Sequence, residues 1–237
     1  MRPHNTHQST PTKSLTQLTT LLILISLLLT ASISLGFFGK SIGKNDRPPV
    51  QASQSLTEDP RAGNGRIVFL GDSITYYNIW SADFPEEEVY NEGIIGDTTG
   101  MVLDRLDETI ALQPGTIFLM IGINDIHTGL PYEETLANIH QILARLRAEC
   151  PQARIFVASV LPVSEAFEIS KNIHNEDIAN FNRQVSQIAP AFNAVYYDLW
   201  PIIAPEGVLT SQYSKDGLHI NSDAYVLWAQ RISQYLQ

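Results

Sequence analysis

The chain has 237 residues, of which 15 are Lys or Arg and 25 are Asp or Glu, so its formal net charge is -10. An acidic chain is poorly suited to bind the phosphate backbone of nucleic acids, and a single cysteine excludes both an intrachain disulfide and a zinc site built from several thiolates. Hydrophobic residues at 44% and charged residues at 17% exclude an intrinsically disordered chain.

The charge is divided unevenly along the chain. Residues 1–65 carry six basic and three acidic side chains, a net charge of +3, whereas residues 66–237 carry nine basic and 22 acidic ones, a net charge of −13. The two parts therefore need separate interpretations. We predict an N-terminal tail over residues 1–17, an apolar segment over 18–38, a flexible linker rich in Pro and Gly over 39–65, and a folded domain over 66–237.

The apolar segment, residues 18–38, contains no charged side chain. As a helix it would be about 31 Å long, at ~1.5 Å per residue, and would cross a bilayer core of about 30 Å. Two interpretations are open: an uncleaved transmembrane anchor, and a secretory signal peptide cleaved after Gly36. The lack of an Ala-x-Ala motif favours the anchor. We expect the domain to be held on the extracytoplasmic side, in the periplasm or outside the cell, or to be secreted if the segment is cleaved.

Short apolar runs alternate with longer amphipathic ones in residues 66–237. The short runs predict five buried strands, at residues 67–70, 89–90, 116–121, 155–158 and 194–197. The longer runs predict helices over residues 98–112, 131–149, 172–189 and 222–236. Such alternation predicts an α/β fold, a three-layer α/β/α sandwich around a central parallel sheet of about five strands. Ligands of these sheets bind beyond the carboxyl ends of the strands, so we expect the chemistry there.

Two short motifs follow the first and the third predicted strands. Gly71-Asp72-Ser73 places a serine hydroxyl at a strand end, where a neighbouring base could turn it into a nucleophile. Gly122-Ile123-Asn124-Asp125 places a side-chain amide at another strand end, where it could donate a hydrogen bond to a developing oxyanion. Ordinary turns contain the same residues, so neither motif identifies a reaction by itself.

Two further motifs could complete a catalytic site. In Asn91-Glu92-Gly93-Ile94-Ile95-Gly96-Asp97-Thr98, Gly96 has no Cβ, so a substrate oxygen could approach its backbone N–H closely. In Asp216-Gly217-Leu218-His219, the carboxylate could hold the Nδ1–H of the imidazole and leave Nε2 facing a nucleophile. His127 is a rival base. A flexible glycine loop and a surface turn are the alternative interpretations of these two motifs.

The four motifs, in this order, resemble those of the SGNH, or GDSL-type, esterase and lipase family. The resemblance covers essentially all of residues 66–237 and implies the flavodoxin-like fold of that family. It implies that Ser73 is the nucleophile, His219 the general base and Asp216 the residue that orients the base. The oxyanion hole would consist of the backbone N–H groups of Ser73 and Gly96 and the side-chain amide of Asn124. The family needs neither a metal nor a cofactor, and none is expected here.

The predicted function is hydrolysis of carboxylic esters through an acyl-serine intermediate. The substrate would be a short acyl or acetyl ester of a lipid, a glycan or a small alcohol. Two alternatives stay open: a membrane-tethered O-acyltransferase that uses the same triad, and a catalytically inactive binding module. The expected partners are the ester substrate and, through residues 18–38, the membrane, with no nucleic acid. The sequence does not specify an oligomeric state.

Overall fold

The computed structural model describes residues 65–236, in which a parallel sheet is flanked by helices. The strands of this part of the chain are four to six residues long. They are β1 (Arg66–Gly71), β2 (Glu88–Gly93), β3 (Thr116–Met120), β4 (Arg154–Ala158) and β5 (Ala194–Tyr197). The central strands β1 and β3 are buried over nearly their whole length, as expected for strands that are covered on both faces.

The helices range from single turns to four or five turns. They are α1 (Ser73–Tyr76), α2 (Trp80–Asp83), α3 (Thr99–Asp104), α4 (Leu106–Ala111), α5 (Ile123–Thr128), α6 (Tyr132–Glu149), α7 (Asn175–Ile188), α8 (Trp200–Ile203) and α9 (Ser222–Leu236). Two 3₁₀ turns, Glu168–Ser170 and Ala189–Phe192, precede and follow α7. The predicted α/β fold with five parallel strands is therefore confirmed.

The sheet order is β2-β1-β3-β4-β5, and all four pairings are parallel. The chain passes outward from β1 to β2 and then returns past β1 to β3, so the direction of winding reverses between β1 and β3. Gly71 at the end of β1 lies opposite Gly93 of β2 and Met120 of β3. The carboxyl ends of these three strands thus meet at the reversal point, where open α/β sheets form their ligand crevice.

Aromatic rings join the central strands to two of the helices. Phe69, Phe118 and Phe156 lie in register on β1, β3 and β4, and successive ring centroids are 5.3 and 4.9 Å apart. Trp80 of α2 stacks on Phe69 at 4.0 Å, and Trp228 of α9 meets Trp80 edge-on at 4.8 Å. Residues in register project from the same face of a sheet, so this continuous stack fastens α2 and α9 to one face.

The structure differs from the predicted elements in two places. The second strand is six residues long rather than two, because its backbone pairs with β1 from Glu88 to Gly93. The polar side chain of Asn91 within it donates to the carbonyl of Thr75. The predicted helix over residues 98–112 is divided into α3 and α4 at Arg105, whose backbone has φ −102° and ψ 9°. The other three long helices lie within the predicted ranges to within three residues at either end.

The predictions for the N-terminal part of the chain concern residues that the structure does not describe. The tail over residues 1–17, the apolar segment over 18–38 and the linker over 39–65, except for its last residue, lie outside residues 65–236. Within that described range, no helix combines the length and the apolar character that crossing a bilayer requires.

Candidate active site

The serine of the first motif lies directly at the reversal point of the sheet. Ser73 is the first residue of α1 and is 5% exposed. The carboxylate of Asp72 accepts a hydrogen bond from the backbone N–H of Ile74 at 2.9 Å and so caps the helix that begins with Ser73. Gly71 is required by close packing, because a Cβ there would lie 2.2 Å from the carbonyl oxygen of Met120. The strand end and the helix cap together fix the position of Ser73.

The serine, histidine and aspartate named from the motifs are brought together. Ser73 Oγ lies 3.1 Å from His219 Nε2, and His219 Nδ1 lies 2.7 Å from Asp216 Oδ2. A neutral imidazole that donates from Nδ1 to the carboxylate leaves Nε2 free to accept the serine proton. His127, the rival base, lies in the last turn of α5, and the serine hydroxyl is bonded to His219 instead.

A tight turn holds the aspartate and the histidine in this orientation. Asp216 Oδ1 accepts hydrogen bonds from the backbone N–H groups of Leu218 at 3.0 Å and His219 at 2.8 Å. Ser214 Oγ accepts from the N–H of Gly217 and donates to the carbonyl of His219. Gly217 has φ +81°, a left-handed conformation that glycine adopts without strain. The turn therefore closes on itself and presents the imidazole to Ser73.

Hydrogen bonds keep the carboxylate of this turn ionised. Partial burial opposes ionisation of Asp216, but hydrogen bonds from the His219 side chain and from the N–H groups of Leu218 and His219 outweigh it, so the pKa of Asp216 is below its ordinary value. An ionised carboxylate at this distance from an imidazole stabilises the positively charged form of the ring.

The two remaining motifs lie at the ends of β2 and β3, on either side of the strand that leads to Ser73. Gly96 has φ +84°, is exposed, and has no atom within 4 Å of the place where a Cβ would be. Asn124, in the first turn of α5, donates from Nδ2 to the carbonyl of Asp97 at 2.8 Å. The second N–H of this amide is not used by that bond. Asp97 thus connects the two groups: it follows Gly96 directly in the chain, and its backbone carbonyl binds the side-chain amide of Asn124.

Two buried carboxylates support these loops. Asp125 accepts hydrogen bonds from the backbone N–H of Thr99 at 2.9 Å and from its hydroxyl at 2.5 Å, so it fixes the start of α3. Burial raises the pKa of Asp125 above its ordinary value, and burial raises the pKa of Asp72 to about 7. Both residues belong to the recognised motifs, but their roles are to hold the backbone of the strand ends rather than to face the crevice.

Aromatic residues that follow Ser73 lie in two different environments. Trp80 and Phe84 are 1% and 7% exposed and belong to the core. Tyr77 is 51% exposed, and its ring meets the imidazole of His219 edge-on with the centroids 5.3 Å apart. It lines a pocket of about 410 Å³ beside the triad together with Lys215, Asp216, His219, Ile220, Asn221 and Ser222. Tyr76, 49% exposed, does not line this pocket, so Tyr77 is the aromatic residue that borders it.

Sequence patterns did not indicate two other residues of the site. Ser214 precedes the last motif and binds both ends of its turn, and Arg105 reaches the loop of Gly96 from the junction of α3 and α4. Neither residue has a characteristic spacing from a motif. Within residues 65–236 no group of three or more His, Cys, Asp or Glu side chains is arranged to hold a metal ion.

Comparison with known proteins identifies a family that matches most of the folded domain. A family model described as the GDSL-like lipase/acylhydrolase family matches residues 69–227. The platelet-activating factor acetylhydrolase IB subunit alpha2 of Gallus gallus is 29% identical over 167 residues, which are 67% of this chain and 70% of that protein. The isoamyl acetate-hydrolyzing esterase 1 homolog of Bos taurus is 27% identical over 186 residues, which are 66% and 75% of the two chains.

A solved structure from Streptococcus pneumonia, provisionally described as a platelet activating factor, superposes with a TM-score of 0.66 at 26% sequence identity. The alignment covers 93% of this chain and 99% of that one. The family match spans the sheet, the serine and histidine motifs and most of the helices between them. The chain therefore belongs to the GDSL-like lipase/acylhydrolase family and is a carboxylic ester hydrolase.

Proposed function

We propose that the protein hydrolyses esters of short acyl groups through an acyl-serine intermediate, with Ser73 as nucleophile, His219 as general base and Asp216 as its orienting partner. The observation that carries this proposal is the unbroken chain of contacts from Ser73 Oγ to His219 Nε2 at 3.1 Å and from His219 Nδ1 to Asp216 Oδ2 at 2.7 Å. A serine hydroxyl is a weak nucleophile unless a base in this position removes its proton.

The proposed reaction has two halves that use the same base. Ser73 Oγ attacks the ester carbonyl carbon while His219 Nε2 takes the hydroxyl proton, and the carbonyl oxygen becomes an oxyanion. When the bond to the alcohol breaks, His219 gives that proton to the leaving oxygen. Water then attacks the acyl-serine while His219 takes a proton from the water. When the bond between the acyl carbon and Ser73 Oγ breaks, His219 gives that proton to Oγ, so the serine hydroxyl re-forms as the acid leaves.

The proposed oxyanion hole consists of the Ser73 and Gly96 backbone N–H groups and the second N–H of the Asn124 amide. Ser73 begins α1, so its N–H is one of the groups at a helix start that have no partner within the helix. Gly96 leaves open space around its backbone, which permits close approach of a substrate oxygen. Donors fixed in advance stabilise the charge that develops in the transition state, where each is worth about 10²–10³ in rate.

A short acyl group is favoured by the names of the relatives. One is an acetylhydrolase of platelet-activating factor and the other an esterase that hydrolyses isoamyl acetate, so both names specify removal of an acetyl group. We therefore propose that the acyl group of the substrate is small and that the alcohol portion lies on the side of His219, in the pocket bordered by Tyr77.

Replacement of Ser73 by Ala tests the proposal. We expect loss of p-nitrophenyl acetate hydrolysis by a factor of at least ~10³, because no nucleophile is left to form the acyl-enzyme. Ser233→Ala, which removes an exposed hydroxyl of α9, is the matched control and should retain full activity. Hydrolysis by the Ser73→Ala protein at the wild-type rate would refute the assignment.

A panel of p-nitrophenyl esters from acetyl to palmitoyl would define the acyl group. The proposal predicts that kcat/KM is highest for the acetyl ester and falls as the acyl chain lengthens. A maximum at palmitoyl would contradict the short acyl group while leaving the role of Ser73 intact. Formation of an acylated alcohol instead of the free acid, in the presence of an added acceptor, would identify an acyltransferase that uses the same residues.

We also propose that residues 18–38 hold the enzyme at a membrane with the catalytic domain on the extracytoplasmic side. The support for this proposal is the uncharged 21-residue length of that segment and the absence of an Ala-x-Ala cleavage motif. N-terminal sequencing of the mature protein and its distribution between membrane and soluble fractions test it. A mature N-terminus that follows Gly36 would show instead that the segment is a cleaved signal peptide.

A further inference from the structure

The side chain of Arg105 connects three segments that end at the proposed site. Its Nε donates to Asp97 Oδ2 at 2.7 Å, and its Nη2 donates to the carbonyl of Glu92 at 2.8 Å and to the carbonyl of Gly71 at 3.3 Å. Gly71 ends β1 two residues before Ser73, Glu92 lies near the end of β2, and Asp97 follows Gly96. One guanidinium group therefore binds to β1, to β2 and to the loop that contains Gly96.

The Gly96 loop is also held by backbone hydrogen bonds, from the N–H of Ile94 to the carbonyl of Gly71 at 3.0 Å and from the N–H of Asp97 to the carbonyl of Ile94 at 3.2 Å. Ile94, Ile95 and Gly96 are exposed, whereas Asp97 is 6% exposed. The side chain of Asp97 binds Arg105, and its backbone carbonyl accepts the hydrogen bond from Asn124 Nδ2. Asp97, which follows Gly96 directly, thus links the Gly96 loop to both Arg105 and the side chain of Asn124.

The contact between Arg105 and Asp97 is shielded from water. The side chains of Arg105 and Asp97 are 11% and 8% exposed, and the carboxylate of Glu92, 8% exposed, lies 3.8 Å from Arg105 Nη1. Charges removed from water need a partner with well-matched geometry, and the planar fork of an arginine can serve several acceptors at once. The backbone also departs from helical geometry at Arg105, where α3 ends and α4 begins.

We infer that Arg105 is a positioning residue that acts through Asp97 to hold the Gly96 and Asn124 donors of the oxyanion hole in place. The inference rests on the proposed function, because the donors matter only if an oxyanion forms beside Ser73. Donors of this kind bind the transition state rather than the ground-state carbonyl. Displacing them lowers kcat and leaves KM nearly unchanged, whereas general loosening of the fold would lower the melting temperature and the amount of active enzyme.

The test compares Arg105→Lys and Asp97→Asn with the wild-type full-length chain, using p-nitrophenyl acetate. Lysine keeps the charge but cannot serve the three acceptors with the geometry of a guanidinium group. The Asp97→Asn variant keeps the backbone carbonyl to which Asn124 donates, but it removes the carboxylate that pairs with Arg105. We expect each variant to lose about tenfold to a hundredfold in kcat, below the loss for deleting an oxyanion donor outright, with KM within about twofold of wild type.

Arg145→Gln is the matched control, since this arginine pairs with Asp107 and Glu149 on the surface, and its kcat should equal that of wild type. The double variant Arg105→Lys with Asp97→Asn should have a kcat no lower than that of the less active single variant, because both changes interrupt the same contact. Active-site titration with a fluorophosphonate normalises kcat to folded enzyme.

Two results would overturn the inference. One is a kcat in folded Arg105→Lys that equals that of wild type, and the other is a loss in the double variant equal to the product of the two single losses. If Arg105→Lys does not fold, a wild-type kcat in Asp97→Asn overturns the inference in the same way. Failure of the proposed function itself is a separate result, because it appears as full activity in Ser73→Ala.

Discussion

Replacement of Asp72 by Asn is expected to make the stability of the protein less dependent on pH. Asp72 is 1% exposed, and burial, reinforced by the charges of Asp125 and Asp97, raises its pKa from 3.8 to about 7. Between those two values the folded protein holds a proton that the unfolded chain has released. The free energy of unfolding therefore falls as the pH rises from about 4 to about 7.

The size of the effect follows from the two pKa values of Asp72. One pKa unit corresponds to about 1.4 kcal/mol. A difference of about three pKa units between the folded and unfolded states therefore lowers the free energy of unfolding by roughly 4 kcal/mol across this pH range. Asn keeps the side-chain oxygen that accepts the N–H of Ile74, but it cannot ionise. The variant and the wild type should be about equally stable near pH 4, and the variant should be more stable at pH 8 by up to about 4 kcal/mol.

Urea unfolding followed by tryptophan fluorescence at several pH values would measure this difference. All three tryptophans, Trp80, Trp200 and Trp228, lie in the folded domain, so the signal reports on that part of the chain. Asp104→Asn, which removes an exposed carboxylate from α3, controls for the change in net charge. Parallel stability curves for Asp72→Asn and wild type between pH 4 and 8 would refute the reasoning.

Three further substitutions test other contacts. Gly71→Ala should destabilise the domain by more than about 3 kcal/mol in urea unfolding, because its Cβ would lie 2.2 Å from the carbonyl oxygen of Met120; a loss below 1 kcal/mol would contradict this packing. Asn124→Ala should lower kcat for p-nitrophenyl acetate by about 10²–10³ with little change in KM. Asp216→Asn should lower kcat by roughly 10⁴, because the amide favours the wrong tautomer of His219, and a loss under tenfold would show that the carboxylate is not needed.

The positions of the strands could be predicted from apolar runs, except where polar residues serve tertiary contacts. β2 was predicted as two residues because Asn91 and Glu92 do not look like parts of a buried strand. In the structure Asn91 donates to the carbonyls of Thr75, Tyr76 and Asn78. The Asn91 amide therefore finds its hydrogen-bond acceptors outside β2, and the local sequence pattern does not indicate such bonds.

The division between α3 and α4 has a similar cause. Residues 98–112 have helical periodicity throughout, and the interruption at Arg105 coincides with the long-range bonds of its guanidinium group to β1, β2 and Asp97. The motifs did predict which residues approach one another, since Ser73, His219 and Asp216 form one connected set. They did not predict Arg105 and Ser214, which hydrogen-bond to the loops of the site. A polar side chain at many positions in the sequence could make such bonds, so no motif marks them.

The bond between Ser73 and His219 joins residues that are 146 positions apart. The helix after His219 closes the same region, because Tyr225 donates to the carbonyl of Ile74 at 2.6 Å. At about 5–20 residues per second, a ribosome needs roughly 7–30 s to add the chain between the serine and the histidine. During synthesis the nascent protein therefore carries the proposed nucleophile without the proposed base, and it should be unable to cleave esters until the segment that contains His219 has emerged and docked.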